Sequence, residues 1–284
     1  MEPESRFIDV DGVSIHVLRW PGTGAPLLLL HGTGFLADLW RRVVDSLHEH
    51  YDVAALDVRG HGRSARPAGR YDFPTLAGDV AGLLDALGWR DVYLAGHSMG
   101  AALALIVAAR RSELVRRVCA VEPVASTHFR RTAAPATPAG GGMAEAVRKR
   151  RAGFPSRAAA EARWRDRPAF ARWDPQVLSD YVQYGLADQD DGSVTLRCPP
   201  AIEAQVYAAV TDFDATPYLR DVRCPVLIAQ GERTNPLFAT VFATAAALLA
   251  DVERITIPGT SHFAPMEAPA LVAEEIRAFD AAAR

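Results

Sequence analysis

The stretch YLAGHSMGAALALIVAAR, Tyr93–Arg110, decides the fold. An apolar run ends in glycine, histidine, serine, methionine and glycine, and an alanine-rich helical pattern follows. A buried strand feeding a helix does not need a serine at the bend, and it needs small residues there only if the bend is very tight. Gly96 and Gly100 remove the β-carbons that would collide in such a turn. Ser98 is then held in a strained conformation at the carboxyl end of a strand, with its hydroxyl outward and a helix N-terminus beneath it. The spacing fits G-x-S-x-G, in which the serine is a nucleophile. The competing reading is a tight turn whose serine caps the helix. The strand before and the helix after favour the nucleophile.

Outward from this bend, short apolar runs rich in β-branched residues alternate with amphipathic helical patterns. FIDVDGVSIHVLRW (Phe7–Trp20) reads as a hairpin turning at Asp11-Gly12. PLLLLHG (Pro26–Gly32) is a buried strand stopped by glycine, and YDVAALDVRG (Tyr51–Gly60) is another, ending at Asp57. Leu76, Val80, Leu83, Leu84 and Leu87 recur at helical spacing before Gly88. A helix over Met99–Arg110 and the strand VRRVCAVEP (Val115–Pro123) follow. Strict alternation of strand and helix implies an α/β fold, a mostly parallel, doubly wound sheet with helices on both faces.

The alternation breaks after Pro123 and resumes at CPVLIAQGE (Cys224–Glu232), with a helix over Leu237–Ala250, the strand VERITIPG (Val252–Gly259) and a C-terminal helix. Between them lie a Pro/Gly/Ala-rich link, RRTAAPATPAGGGM (Arg130–Met143), expected to be mobile, and short helical pieces with no strand signal. The expected organisation is an α/β core in two parts, residues 1–124 and 216–284, around a helical insertion at 125–215.

Composition narrows the classes. Of 284 residues 49% are hydrophobic, enough for a sizeable core, and the net charge is only −3 with both signs interspersed. That balance argues against nucleic acid as a partner, and no basic amphipathic run suggests membrane attachment. Cys119, Cys198 and Cys224 are sparse and lack ligand spacing, which fits buried thiols in a reducing compartment. The acidic N-terminus has no apolar core of a secretory signal. A cytoplasmic protein acting on a small molecule, with no metal and no cofactor, is the expectation.

A serine needs a base within hydrogen-bond reach. His31 and His61 each stand between a strand end and glycine, as loop-bracing residues do; His97 points away from Ser98 and packs; His16, His48, His50 and His128 fall in surface or inserted segments. His262, in ITIPGTSHFAPMEAP (Ile255–Pro269), follows the last apolar strand in a loop that opens on the same sheet edge as the bend. It is the expected base. The oxyanion that forms on attack at a carbonyl needs donors. The N–H of Met99 is one, and the second comes from the loop after LLLLHG, from Thr33 with Gly34 as the alternative.

The set LLLLHGTG, LDVRGHGRS, LAGHSMG and GTSHFAPMEAP resembles the α/β-hydrolase superfamily over nearly the whole chain, with the insertion at that family's cap position. The resemblance implies the α/β-hydrolase fold, a nucleophilic Ser98 and a basic His262. It does not fix the substrate, because the fold hosts many chemistries. Many members place the triad carboxylate in a G-x-x-D turn after the strand that follows the cap. Here QGERTNP (Gln230–Pro236) puts Thr234 at that position, and threonine cannot balance an imidazolium. Two carboxylates lie near strand ends. Glu122 closes the strand before the cap, as the acid does in some dehalogenases and zearalenone-type lactonases. Glu232 is the runner-up. Glu122 is the preferred acid, against a buried ion pair with an arginine of the cap; Asp57 and Arg59 read as loop-bracing charges.

A serine nucleophile, in place of the aspartate of epoxide hydrolases and haloalkane dehalogenases, favours attack on a carbonyl. The expected activity is hydrolysis of a carboxylic ester or lactone through an acyl-enzyme. The rivals are a cofactor-free dioxygenase or a lyase on the same fold, and a small-molecule receptor. Trp164, Phe170, Trp173, Tyr181 and Tyr184 are candidates to roof an apolar pocket, with Gly34, Phe35, Trp40 and Phe263 lining it from the core, although packing alone also explains each aromatic. The basic pieces RKRR (Arg148–Arg151) and RWRDR (Arg163–Arg167) would attract an acidic substrate, but read first as solvated helix faces.

Overall fold

The computed structural model describes residues 1–124 and 139–282. The first two strands, β1 (Glu4–Val10) and β2 (Val13–Trp20), pair antiparallel around Asp11-Gly12, the turn expected from the sequence. Next in chain order come β3 (Pro26–Leu30), β4 (Asp52–Leu56), β5 (Val92–His97) and β6 (Val115–Val121). Three very short strands follow, β7 (Gly153–Phe154), β8 (Leu186–Asp188) and β9 (Val194–Leu196). The last two are β10 (Val226–Gly231) and β11 (Val252–Ile257). Eight of them form one sheet in the order β1-β2-β4-β3-β5-β6-β10-β11, parallel from β4 to β11.

The chain leaves β3 toward β4 on one side and returns to place β5 on the other. That reversal opens a crevice at the carboxyl ends of β3 and β5, the place where doubly wound sheets bind ligands. Alternate residues of β3 serve opposite faces. Leu28 and Leu30 join a core with the helices Phe73–Leu87 and Met99–Arg110, whereas Leu27 and Leu29 join one with Trp40, Val43 and the C-terminal helix Pro269–Ala281. The helix Phe73–Leu87 begins where the Asp72 carboxylate accepts the Thr75 N–H and ends at left-handed Gly88, φ 67°.

Between β6 and β10 the described residues form the helices Ala139–Arg148, Arg157–Arg165, Pro175–Tyr184, Pro200–Asp212 and Thr216–Asp221. The expectation of no strands there is corrected: β7, β9 and β8 make a small antiparallel sheet. At two or three residues each, they are too short to show alternation. The glycine-rich link is also partly corrected, since residues 139–143 begin a helix; its residues 130–138, and His128, lie outside the described residues. Phe154, Trp164, Trp173, Val177 and Tyr181 of this layer pack with Leu36, Leu39 and Met266 of the core, which seats the layer over the carboxyl edge of the sheet. Among the described residues no helix is long and apolar enough to cross a membrane.

Candidate active site

β5 is buried on both faces and delivers Ser98 directly to the helix Met99–Arg110. Ser98 has φ 53° and ψ −112°, a strained conformation for a residue with a β-carbon. Three backbone hydrogen bonds hold it. Ser98 N–H donates to Val121 C=O at 2.9 Å, and its own C=O accepts from Ala102 at 3.2 Å and Val124 at 3.3 Å. The flanking glycines are needed for space: a β-carbon on Gly96 would stand 2.4 Å from the Gly100 carbonyl, and one on Gly100 only 2.1 Å from the Leu30 carbonyl oxygen.

The structure brings Ser98, His262 and Glu122 together. His262 Nε2 lies 3.2 Å from Ser98 Oγ, and its Nδ1 lies 3.0 Å from Glu122 Oε2. The imidazole is stacked on Phe238, ring centroids 5.1 Å apart and planes 17° apart. Its backbone carbonyl accepts a 2.7 Å hydrogen bond from His97 Nε2. Glu122 is fully buried just past β6, at φ 52°. Its Oε1 accepts from Gly231 N–H at 2.6 Å and from Thr234 Oγ1 at 2.5 Å. Each carboxylate oxygen is therefore hydrogen-bonded, as a buried charge requires. Glu232 is elsewhere: its Oε2 accepts the Gly259 N–H at 2.8 Å.

Met99 is the first residue of its helix, so its N–H has no intrahelical acceptor. Thr33 borders the same cavity as Ser98. Gly34 does not line that cavity; its open side faces the Glu203 carboxylate. Behind the loops, His31 accepts the Val58 N–H at 3.0 Å and donates to the Gly32 carbonyl at 2.8 Å. Asp57, fully buried, accepts from Ala37 N–H, Arg63 N–H and His16 Nδ1 at 2.7–2.8 Å. Burial alone would raise the Asp57 pKa, but these donors, His16 foremost, hold it below the ordinary carboxylate range. The placing of His16 at the surface is thus corrected: it is 0% exposed. It lies on β2, which looks like an outer hairpin strand in the sequence but is covered by the loop carrying Arg63 and Ser64.

A cavity of about 710 Å³ lies over Ser98. Phe35, Trp164, Phe170, Tyr181 and Phe263 line it, together with Phe154, Tyr207 and Phe238, which the sequence reading did not single out. Three aromatic candidates are corrected. Trp40 is 2% exposed and packs beneath the sheet edge, because the 3₁₀ turn Ala37–Trp40 points it into the core. Trp173 packs on Phe35, Phe170 and Phe263, one layer behind the wall. Tyr184 sits under the Arg41 guanidinium, 4.4 Å from its ring. The reading of the basic pieces as solvated faces holds for the exposed Lys149, Arg151, Arg163 and Arg167, although they border the cavity, and is corrected for Arg150, which is half-buried in its wall.

The chain belongs to the family of the alpha/beta hydrolase fold, whose model matches residues 25–269. By that fold and its relatives it is a hydrolase. It is 28% identical over 281 residues to 2-(acetamidomethylene)succinate hydrolase of Mesorhizobium japonicum, covering 97% of this chain and 94% of the relative. A partial likeness, 35% over 125 residues, is to N-formylmaleamate deformylase of Pseudomonas putida, with 44% of this chain and 47% of the relative covered. Among solved structures, E-2-(acetamidomethylene)succinate hydrolase superposes with a TM-score of 0.83 at 25% identity, over 98% of this chain and 99% of that one.

Proposed function

We propose that this hydrolase cleaves a carboxylic ester or lactone of a small molecule through an acyl-enzyme on Ser98. Glu122 accepts the Nδ1–H of His262 and so leaves the Nε2 lone pair toward Ser98. His262 takes the Ser98 proton as Oγ attacks the substrate carbonyl. The N–H groups of Met99 and Thr33 hold the oxyanion. Collapse of the tetrahedral intermediate expels the alkoxide, which takes the proton back from His262. Water then attacks the acyl-enzyme by the same route, with His262 as base again. The described part of the insertion, residues 139–215, acts as the cap over the substrate chamber.

The observation that carries this reading is the unbroken Ser98–His262–Glu122 chain, with contacts of 3.2 and 3.0 Å, ending on a carboxylate shut away from water. The relatives' names, an acetamido compound and a formyl compound, add acyl–nitrogen bonds to the candidates. The test is a panel of p-nitrophenyl esters, lactones and anilides assayed with wild type and Ser98→Ala, beside fluorophosphonate labelling of Ser98. Loss of all turnover in Ser98→Ala and rapid labelling of wild type are expected. Turnover that survives Ser98→Ala assigns the site to proton abstraction, the chemistry of a dioxygenase or lyase. A wild type that binds ligands but neither reacts nor labels assigns it to a receptor.

A further inference from the structure

The chamber over Ser98 is unevenly charged. Among the described residues that line it, five are cationic and one, Glu203, is a carboxylate. Lys149, Arg151, Arg163 and Arg167 are exposed, where water and salt screen them. Arg150 is different. It is half-buried, and its Nη1 lies 2.7 Å from Glu203 Oε2 and donates a 2.9 Å hydrogen bond to Oε1. Glu203 is 3% exposed, on the first turn of the helix Pro200–Asp212, and abuts the backbone of Gly34 in the loop after β3. The Tyr181 side chain, which borders the same chamber, lies near enough to favour the charged guanidinium. The guanidinium is thereby fixed in the chamber wall, beside the loop that flanks Ser98.

A buried ion pair is a poor stability device, because desolvation offsets most of the attraction and apolar residues replace it at little loss. A guanidinium has five donors in a rigid fork that matches a carboxylate, and the Glu203 contacts run from a single terminal nitrogen. Aromatic rings also line the chamber, with the Trp164 and Phe170 planes 20° apart at 5.7 Å. The chamber thus offers an apolar surface and one pre-positioned fork.

Building on the hydrolytic reading of Ser98, we propose that Arg150 is a specificity-determining residue, selecting acyl substrates that carry a free carboxylate, and that Glu203 positions its guanidinium.

The test compares p-nitrophenyl hydrogen succinate with p-nitrophenyl butyrate, esters of equal chain length that differ in the carboxylate. Wild type is expected to favour the anionic ester in kcat/KM. The anionic-to-neutral ratio should fall at least about tenfold in Arg150→Gln, mainly through KM, and by less in Arg150→Lys, which keeps the charge and loses the fork. In wild type alone, raising NaCl from about 50 to about 500 mM should lower the ratio several-fold. A ratio unchanged in Arg150→Gln overturns the proposal, whatever its response to salt, which the exposed cations of the chamber also produce, and leaves the pair a packing feature. If Arg150→Gln does not fold, Arg150→Lys decides, and an unchanged ratio there overturns the proposal. Failure of Ser98-dependent turnover with both esters overturns the hydrolytic reading instead. Arg150 is then read by calorimetry of succinate binding: a loss of at least about tenfold in Arg150→Lys upholds the proposal, and unchanged binding overturns it.

Discussion

Thr234 donates a 2.5 Å hydrogen bond from Oγ1 to Oε1 of Glu122. The position at which many members of the superfamily carry the triad aspartate is therefore a clamp on a carboxylate that comes from another strand. Gly231 N–H supports the same oxygen at 2.6 Å, leaving Oε2 to His262. The two arrangements are physically equivalent at the imidazole, which needs one buried, hydrogen-bonded negative charge at Nδ1. They differ in which strand end delivers it.

Glu122→Gln keeps the volume but presents an amide to the imidazole, which favours the wrong tautomer. A drop in kcat of about 10³–10⁴ is expected, the size seen when a triad carboxylate becomes an amide. Thr234→Val removes one donor to the charge and should cost about tenfold to a hundredfold in kcat/KM. Glu232→Gln, away from the imidazole, should leave kcat within about twofold. Steady-state kinetics on a reactive ester, with thermal melts as the folding control, check all three. Normal kcat in Glu122→Gln beside a dead Glu232→Gln would hand the role to Glu232.

What was legible in the sequence was whatever leaves a local mark. The turn around Ser98 shows because the apolar run, the glycines and the helix adjoin one another. Glu122 shows because a charge directly after an apolar strand is costly without a partner. What stayed hidden depends on contacts across the chain. His16 looks like a hairpin residue until the Asp57 carboxylate, 41 positions on, is seen against its Nδ1. Trp40 and Trp173 are aromatic like the true wall residues, and only the direction of their backbone separates them from Trp164. The Arg150–Glu203 pair spans 53 positions within the insertion, so no helical spacing announces it. Its arginine sits in a run that composition reads as a solvated face.

Acid sensitivity should follow from the buried histidines. Burial, aided by repulsion from a neighbouring histidine, pushes His97 down to about 3 and His61 likewise to about 3. In the unfolded chain both titrate near the ordinary value of about 6.5. Their contribution is complete above that value and is lost as pH falls toward 3, because only the unfolded chain takes up the protons in between. The limiting slope is about 1.4 kcal/mol per pH unit for each histidine. Asp57, held below the ordinary carboxylate range, adds its own loss only in more acidic solution. Urea unfolding at pH 7 and pH 5 should show a drop of at least about 2–4 kcal/mol, since buried His31 is also held low, and His97→Asn should remove one histidine's share of the slope. An unchanged midpoint between the two pH values would mean that these imidazoles reach water.

Gly34 tests whether the loop after β3 supplies an oxyanion donor. Its φ is +82°, and a β-carbon there would stand 2.6 Å from Glu203 Oε1. The carboxylate cannot simply swing aside, since it is 3% exposed and tied to Arg150. Gly34→Ala should therefore shift the backbone itself, and with it the adjoining Thr33 amide. The expected effect is about a hundredfold or greater loss of kcat, the range for removing one oxyanion donor, with only about 1–2 kcal/mol of destabilisation from the left-handed backbone. Fluorophosphonate labelling of Ser98 should slow in parallel, because its transition state places the same charge on a phosphoryl oxygen. Should the variant melt earlier yet turn over normally, the Thr33 N–H plays no part in holding that charge, and the second donor has to be sought elsewhere around the cavity.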